Sequence, residues 1–268
     1  MLSTLIYKLN NDKETYEMVL TNYTCLIETA EYSYHFLKHL QKPAVFLIAN
    51  ELKRYMDSFI KHDIDEVDRD GMKYYSAHIQ TRPIYKHKAY NIDIKSAYPS
   101  CLLINGLIDQ KMFDKLATLN KDERLAAIGM LASKKRKFFI ENGNVVGHAN
   151  EESEYAKYFY YCVDNIAKLI WQCEVISGTK FLYSWVDGLY VTDLQTAEKC
   201  RRLLFDAGYR ASVSAITDFQ YTHLENKLRI TFQKDGDNKV FHIPVESNRL
   251  AQIVKFIHNE NNDYQIPQ

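Results

Sequence analysis

Between residues 89 and 95 the chain alternates. Tyr90, Ile92 and Ile94 are interleaved with Asn91, Asp93 and Lys95, and a period of two predicts a strand. Ser96, Ala97 and Tyr98 follow, and Pro99 suits the first turn of a helix. Two β-rich runs between 181 and 193 flank Asp187-Gly188. They predict a hairpin with Asp187 at its turn. Other stretches show helical spacing. Met18, Val19, Leu26 and Ile27 predict a helix over 15–40, and Pro43 opens a second over 44–61. Asn120 as N-cap, with Glu123 three residues on, predicts a helix over 121–140. An apolar stripe from Tyr155 to Ile170 predicts a long helix over 151–173. Ser177-Gly178 breaks the chain before the hairpin. A helix over 195–207 ends at Gly208. Residues 72–85 and 209–233 read as strands, and 142–150 as a loop. A hairpin loop at 234–238 returns through 240–245. Ser247 caps a last helix to about 258. The acidic segment 61–71 lacks calcium-loop spacing and reads as a solvated loop.

The chain has 268 residues, enough for one large or two small domains. Hydrophobic residues make up 46%, so a sizeable core can be buried, and the 25% of charged residues is ordinary. Net charge is zero, so any surface that grips a nucleic acid must be local. One window concentrates base: residues 111–137 hold eight Lys or Arg against three acids, a local charge of +5. It ends in Lys134, Lys135, Arg136 and Lys137. On a helix this run suits triphosphate and template backbone; it also reads as a solvated charged face. The five cysteines show no CxxC pairing, which argues for reduced thiols in a cytoplasmic compartment and against a zinc or disulfide scaffold. No run reaches the length of a membrane span, and no signal-peptide pattern opens the chain.

An acid at a strand exit before a tight turn is a good holder of a divalent cation. Carboxylate and backbone carbonyl are hard oxygen ligands of the kind Mg²⁺ prefers. Asp187 supplies a second carboxylate beside Asp93. Two such groups can hold metals about 3.5–4 Å apart, the arrangement used for in-line displacement at phosphorus. Singly, each residue has a plainer reading. Asp-Gly is often only a turn, and Asp before Ser is often a helix cap.

Together the two stretches resemble family B DNA polymerases, in the style of the protein-primed, phage-type branch. Asp93, Ser96, Tyr98, Pro99 and Ser100 match motif A, Asp-x-x-Ser-x-Tyr-Pro-Ser. Motif C, Tyr-x-Asp-Thr-Asp, is matched at Tyr183 and at its second Asp, Asp187; Trp185 replaces the first. The resemblance covers about residues 75–233. Motif B, Lys-x-x-x-Asn-Ser-x-Tyr-Gly, agrees only at Ser133 and at the trailing Lys137-Phe138: its Lys falls on Ile128, its Asn on Ala132, its Tyr on Lys135 and its Gly on Arg136. Lys227 falls where protein-primed members carry Lys-x-Tyr against the primer terminus.

The resemblance implies an α+β fold: a polymerase-type palm with an antiparallel sheet backed by helices. A small, mostly helical N-terminal region would occupy 1–84. The palm would take 85–110 and 152–233, short basic fingers 111–151, and a thumb remnant of hairpin and helix 234–268. Fewer than 90 residues precede motif A, too few for a proofreading exonuclease. The implied activity is template-directed DNA synthesis by two Mg²⁺ ions, with Mn²⁺ as a substitute, held by Asp93, Asp187 and the carbonyl of Ile94. Ser96 and Tyr98 would meet the incoming nucleotide, Tyr98 excluding a 2′-hydroxyl. Lys134 and Arg136 would contact the triphosphate; Lys135, Lys137 and Lys227 would contact DNA. The partners would be primer-template and deoxynucleoside triphosphates, with no membrane, in phage or mobile-element replication in a bacterial cytoplasm. Two alternatives accompany this reading: a catalytically degenerate palm serving as a nucleic-acid-binding replication accessory, and an untemplated nucleotidyltransferase.

Overall fold

The computed structural model describes residues 2–21, 24–37, 43–59, 64, 78–79, 87–224, 227–234 and 236–244. The fold is α+β, and the chain divides into two compact units. One unit takes Met1–Arg69 and Tyr98–Asp164, the other Asp70–Ala97 and Asn165–Gln268.

The first unit opens with helix α1 (Leu2–Asn11) and strands β1 (Tyr16–Leu20), β2 (Thr24–Thr29) and β3 (Ser33–Leu37). This corrects the helix expected over 15–40 and the mostly helical N-terminal region. Cys25 and Ile27 are buried while their neighbours are not, a period of two. Thr21 also closes the β1–β2 turn, its hydroxyl accepting from the Thr24 amide at 2.8 Å. Helix α2 (Pro43–Phe59) forms as expected. Helices α3 (Ala97–Ile104), α4 (Gln110–Ala117) and α5 (Lys121–Gly129) follow motif A. Asn120 caps α5 as predicted, accepting from the Glu123 amide.

Helix α5 is shorter than predicted. Its last turn tightens at Met130–Ala132, and Ser133 turns to extended geometry at ψ 133°. The basic run is therefore not helical: it starts strand β6 (Lys134–Glu141). Strand β7 (Asn144–Glu152) replaces the expected loop and takes up the first residues of the predicted long helix. Asn142 and Gly143 form the connecting turn with φ of 50° and 77°, the double left-handed geometry that Asn-Gly favours in tight hairpins. The five-stranded sheet has the antiparallel order β3-β2-β1-β6-β7. Leu9, Tyr16, Cys25, Ile27 and Ile140 form its buried core. The segment expected as a separate fingers insertion thus completes the N-terminal sheet.

The second unit is built on strand β5 (His87–Ile94), after the short β4 (His78–Ile79). The long helix α6 (Ala156–Ser177) crosses from the first unit into the second. It leads to β8 (Phe181–Trp185) and β9 (Gly188–Val191), then to α7 (Leu194–Asp206) and β10 (Ala211–Leu224). Gly208 ends α7 at φ 89°, and the Tyr209 amide returns to the Leu204 carbonyl, a common helix stop. Strands β11 (Lys227–Lys234) and β12 (Asp237–Pro244) complete a seven-stranded sheet in the order β12-β11-β10-β5-β9-β8-β4. They extend the same sheet, so the hairpin expected as part of a thumb remnant belongs to it. The segment 61–71, save Ile64, most of 72–85 and the helix predicted from Ser247 lie outside the described residues.

With α3 to β7 set aside as an insertion between β5 and α6, the elements β5, α6, β8, β9, α7 and β10 come in that order, with the spatial strand order β10-β5-β9-β8. This is the split β-α-β arrangement. Side chains alternate across β5. Ile92 and Ile94 share a face with Leu189 and Ser184. The Ser184 hydroxyl donates to the Glu174 carboxylate on α6, and α6 meets α7 at Cys173 and Cys200. The helices therefore cover the Ile92 face, and Asn91 and Asp93 belong to the other. No helix among the described residues is long and apolar enough to cross a membrane. All five cysteines are buried and none forms a disulfide.

Candidate active site

Asp93 is the penultimate residue of β5, paired with Gly188 on β9 and Ser212 on β10. Asp187 is the second residue of the turn between β8 and β9, whose flanking pair is Trp185 and Gly188. The turn is thus Val186-Asp187, one residue earlier than Asp187-Gly188. Val186 holds φ 57°, a left-handed conformation unusual for a β-branched residue. Strain of this kind is found where the surrounding structure over-determines the backbone.

Three observations bring the two acids to one place. The Ile94 amide donates to the Asp187 carbonyl at 3.1 Å, locking the turn to the end of β5. Asp93 Oδ1 lies 3.9 Å from the position a Cβ would take on Gly188, the residue after Asp187. Both carboxylates also act on one side chain, Tyr190. Burial raises the Tyr190 hydroxyl pKa well above its ordinary value, and the charges of Asp93 and Asp187 add to the shift. Both acids are half-buried.

Behind them lies a polar wall not singled out in the sequence. Asn91 shares the Asp93 face and donates from Nδ2 to Tyr190 Oη at 3.3 Å. Tyr183 sits opposite Tyr190 on β8, ring centroids 5.5 Å apart. The Asn91 Oδ1 and Tyr183 hydroxyl are buried with no hydrogen-bond partner among the described residues. Burial also pushes the Tyr183 hydroxyl pKa far up, with Tyr190 adding to it. The signal was available: Asn91 stands two residues before Asp93, and a period of two puts them on one face. Trp185, where motif C has its first Asp, shares that face through Gly188 and is 41% exposed.

The other expected site residues sit elsewhere in the chain's architecture. Ser96 links β5 to α3 at φ 51°. Tyr98, on α3 in the first unit, stacks on Phe159 with centroids 5.7 Å apart and planes 8° apart. Lys134, Lys135, Arg136 and Lys137 lie along β6, also in the first unit. Lys137 is paired with Glu17 at 2.6 Å, and that hydrogen bond holds its pKa above the ordinary lysine value. This committed partner weakens the expected DNA contact. Lys227 begins β11, opposite Leu224 on β10 and Pro244 on β12. Ile128, the position of the motif B lysine, is core at 1% exposure.

The donors gathered by β5 and the β8–β9 turn are two carboxylates and backbone carbonyls. An all-oxygen set of this kind fits a hard cation such as Mg²⁺ rather than a soft metal. Among the described residues no three His, Cys, Asp or Glu side chains gather as a metal group. No protein-family model matches the chain, and no curated protein matches it.

Proposed function

We propose that the chain is a Mg²⁺-dependent nucleotidyltransferase, a DNA polymerase of the family B type. The observation that carries the reading is the convergence of Asp93, near the end of β5, and Asp187, in the β8–β9 turn, tied by the Ile94–Asp187 backbone bond. In this reading Asp93, Asp187 and the Ile94 carbonyl hold two Mg²⁺ ions, which Mn²⁺ can replace. The bound ions supply charge neutralisation at the attacking 3′-oxygen and the leaving pyrophosphate. The protein's part is to hold two carboxylates in fixed positions on rigid strands. The backbone bond at Ile94 and the packing of Asn91, Tyr183 and Tyr190 behind them support that role. Tyr98, held by its stack on Phe159, carries discrimination against a 2′-hydroxyl. The substrates are primer-template DNA and deoxynucleoside triphosphates, and the setting is phage or mobile-element replication in a bacterial cytoplasm.

A second reading, a palm that binds nucleic acid without catalysis, is favoured by one observation. The motif B lysine position, Ile128, belongs to the core and offers no phosphate contact.

Primer extension with Mg²⁺ and each deoxynucleotide separates the readings. The parent is expected to extend a primed template according to template sequence. Asp93→Asn and Asp187→Asn are each expected to lower incorporation at least about 10³-fold, near the larger effects of losing an electrostatic stabiliser. Extension that ignores the template points to untemplated transfer. Absence of extension in the parent, or full activity in either Asn variant, overturns the catalytic reading.

A further inference from the structure

Strand β6 divides its cations between two faces. Lys135 and Lys137 share one with acids: Lys135 is paired across the ladder with Glu151, and Lys137 is bridged to Glu17. Lys134, Arg136 and Phe138 take the other, beside Asn150 and His148 on β7. These side chains line a cavity of about 1160 Å³, walled by Ala126, Gly129 and Met130 from the α5 end. No acid lines it; Glu152, opposite Lys134, stands at the strand end and outside the lining. Neither Lys134 nor Arg136 has an ion pair among the described residues, and both are exposed.

We propose that this groove binds single-stranded DNA, with Lys134 and Arg136 on consecutive phosphates and Phe138 as a stacking platform for a base. Two residues along a strand advance about 6.8 Å, which sets the two cations out in a row instead of converging them on one phosphate group. A row suits a polymer backbone. Phe138 packs partly against the core of the sheet but stays half-buried and lines the cavity, so the part of its ring left toward the cavity is what an unpaired base would cover. A duplex keeps its base faces stacked on one another and has none to offer. The cavity is also larger than the roughly 300–1,000 Å³ usual for a small-molecule pocket. The choice of DNA over RNA rests on the nucleotidyl-transfer reading; the groove itself needs no catalysis.

The test is fluorescence anisotropy of a labelled oligothymidylate of about 15 nucleotides, within the range one binding module covers, titrated with the full chain at several salt concentrations. The parent is expected to lose affinity steeply with salt. K134A/R136A should flatten the log–log slope by about 1.4, two contacts at about 0.7 each for single strands. F138A should weaken binding about fivefold or more and leave the slope unchanged. K135A/K137A should bind like the parent. Circular dichroism checks that each variant is folded, and the glutamine pair K134Q/R136Q replaces the alanine pair if that one is not. Parental binding by K134A/R136A overturns the proposal. So does equal weakening by K135A/K137A, which means diffuse surface charge. Tighter binding of duplex overturns the single-strand assignment, and equal binding of oligouridylate overturns the choice of DNA. The D93N and D187N variants keep the two readings distinguishable. If they bind the oligonucleotide like the parent while the parent extends no primer, the groove stands and the catalytic reading falls.

Discussion

Replacing Asn91 by Leu together with Tyr190 by Phe removes the polar wall behind Asp93 and Asp187, and is expected to make the protein more stable. The buried Asn91 Oδ1 lacks a partner, a state that costs about 1–3 kcal/mol. In return Asn91 makes one bond to Tyr190, long at 3.3 Å, worth about 0.5–1.5 kcal/mol net. Leu and Phe are close in size to the residues they replace, so no large cavity opens. The relieved penalty exceeds the lost bond by about 1 kcal/mol, which for a chain of this size raises Tm by about 2–4 °C. Tyr190→Phe alone should go the other way by about 1 kcal/mol, because Asn91 then loses its remaining partner. Urea denaturation followed by circular dichroism gives the midpoints and slopes. In primer extension the stabilised double variant should need about tenfold more Mg²⁺, the usual cost of disturbing groups that support metal ligands. A double variant less stable than the parent, with unchanged slope, would refute the reasoning. The amide oxygen would then be satisfied by ordered water, and the wall would be an ordinary stabilising network.

Three further outcomes are expected. Asp187→Asn should change stability by no more than about 0.5 kcal/mol, as for a turn position away from the core, so loss of activity in that variant reports chemistry and not unfolding; a urea midpoint checks this. Asp193→Ala removes the α7 cap, in which Asp193 accepts from the Thr196 amide and hydroxyl at 2.9 Å each, and should cost about 1 kcal/mol at neutral pH. The Thr196 amide bond lowers the Asp193 pKa below its ordinary 3.8. That stability is present above 3.8 and lost as pH falls through the folded value, so the gap between parent and variant should close in acid. Tyr183 and Tyr190 titrate above the ordinary 10.0. The unfolded chain therefore ionises first, and stability should fall above pH 10 by about 1.4 kcal/mol per pH unit for each. Alkaline ultraviolet titration should leave both protonated until the fold is lost.

What could be read in the sequence was whatever local pattern decides. Tyr90, Ile92 and Ile94 alternate over a strand buried on its apolar face. Asn120, Asp193 and Gly208 mark helix ends through bonds that span only a few residues. The β8–β9 hairpin was legible for the same reason, though its turn moved by one residue because Val186 adopts a conformation a β-branched residue seldom takes. The rest depended on distant partners. Met18, Val19, Leu26 and Ile27 fit either period, and their strand form follows from pairing with β6, where Val19 meets Lys137 and Met18 meets Phe138. Lys134 to Lys137 are good helix formers by intrinsic preference. Ser133 ends the helix before them, and ladder bonds on both sides of β6 override that preference. The candidate carboxylates were legible because their chemistry is attached to local motifs. The polar wall was legible only in part: the period of two puts Asn91 on the Asp93 face, but its meeting with Tyr190 forms only across the sheet.

The interleaving of the two units has a consequence for synthesis. β1 gains its β6 neighbour only when residues 136–140 exist, about 120 residues after it is made. At roughly 5–20 residues per second a nascent chain spends on the order of 6–24 s before that partner emerges. During that interval one side of β1 has open amides and carbonyls, the kind of edge that recruits strands from other molecules. β5 waits in the same way for β9 and β10. Neither unit is a contiguous stretch that a ribosome can finish and release for folding before starting the other. Yield of native protein should therefore depend on elongation speed and on chaperones that shield unpaired strands, and slowing translation should lower it.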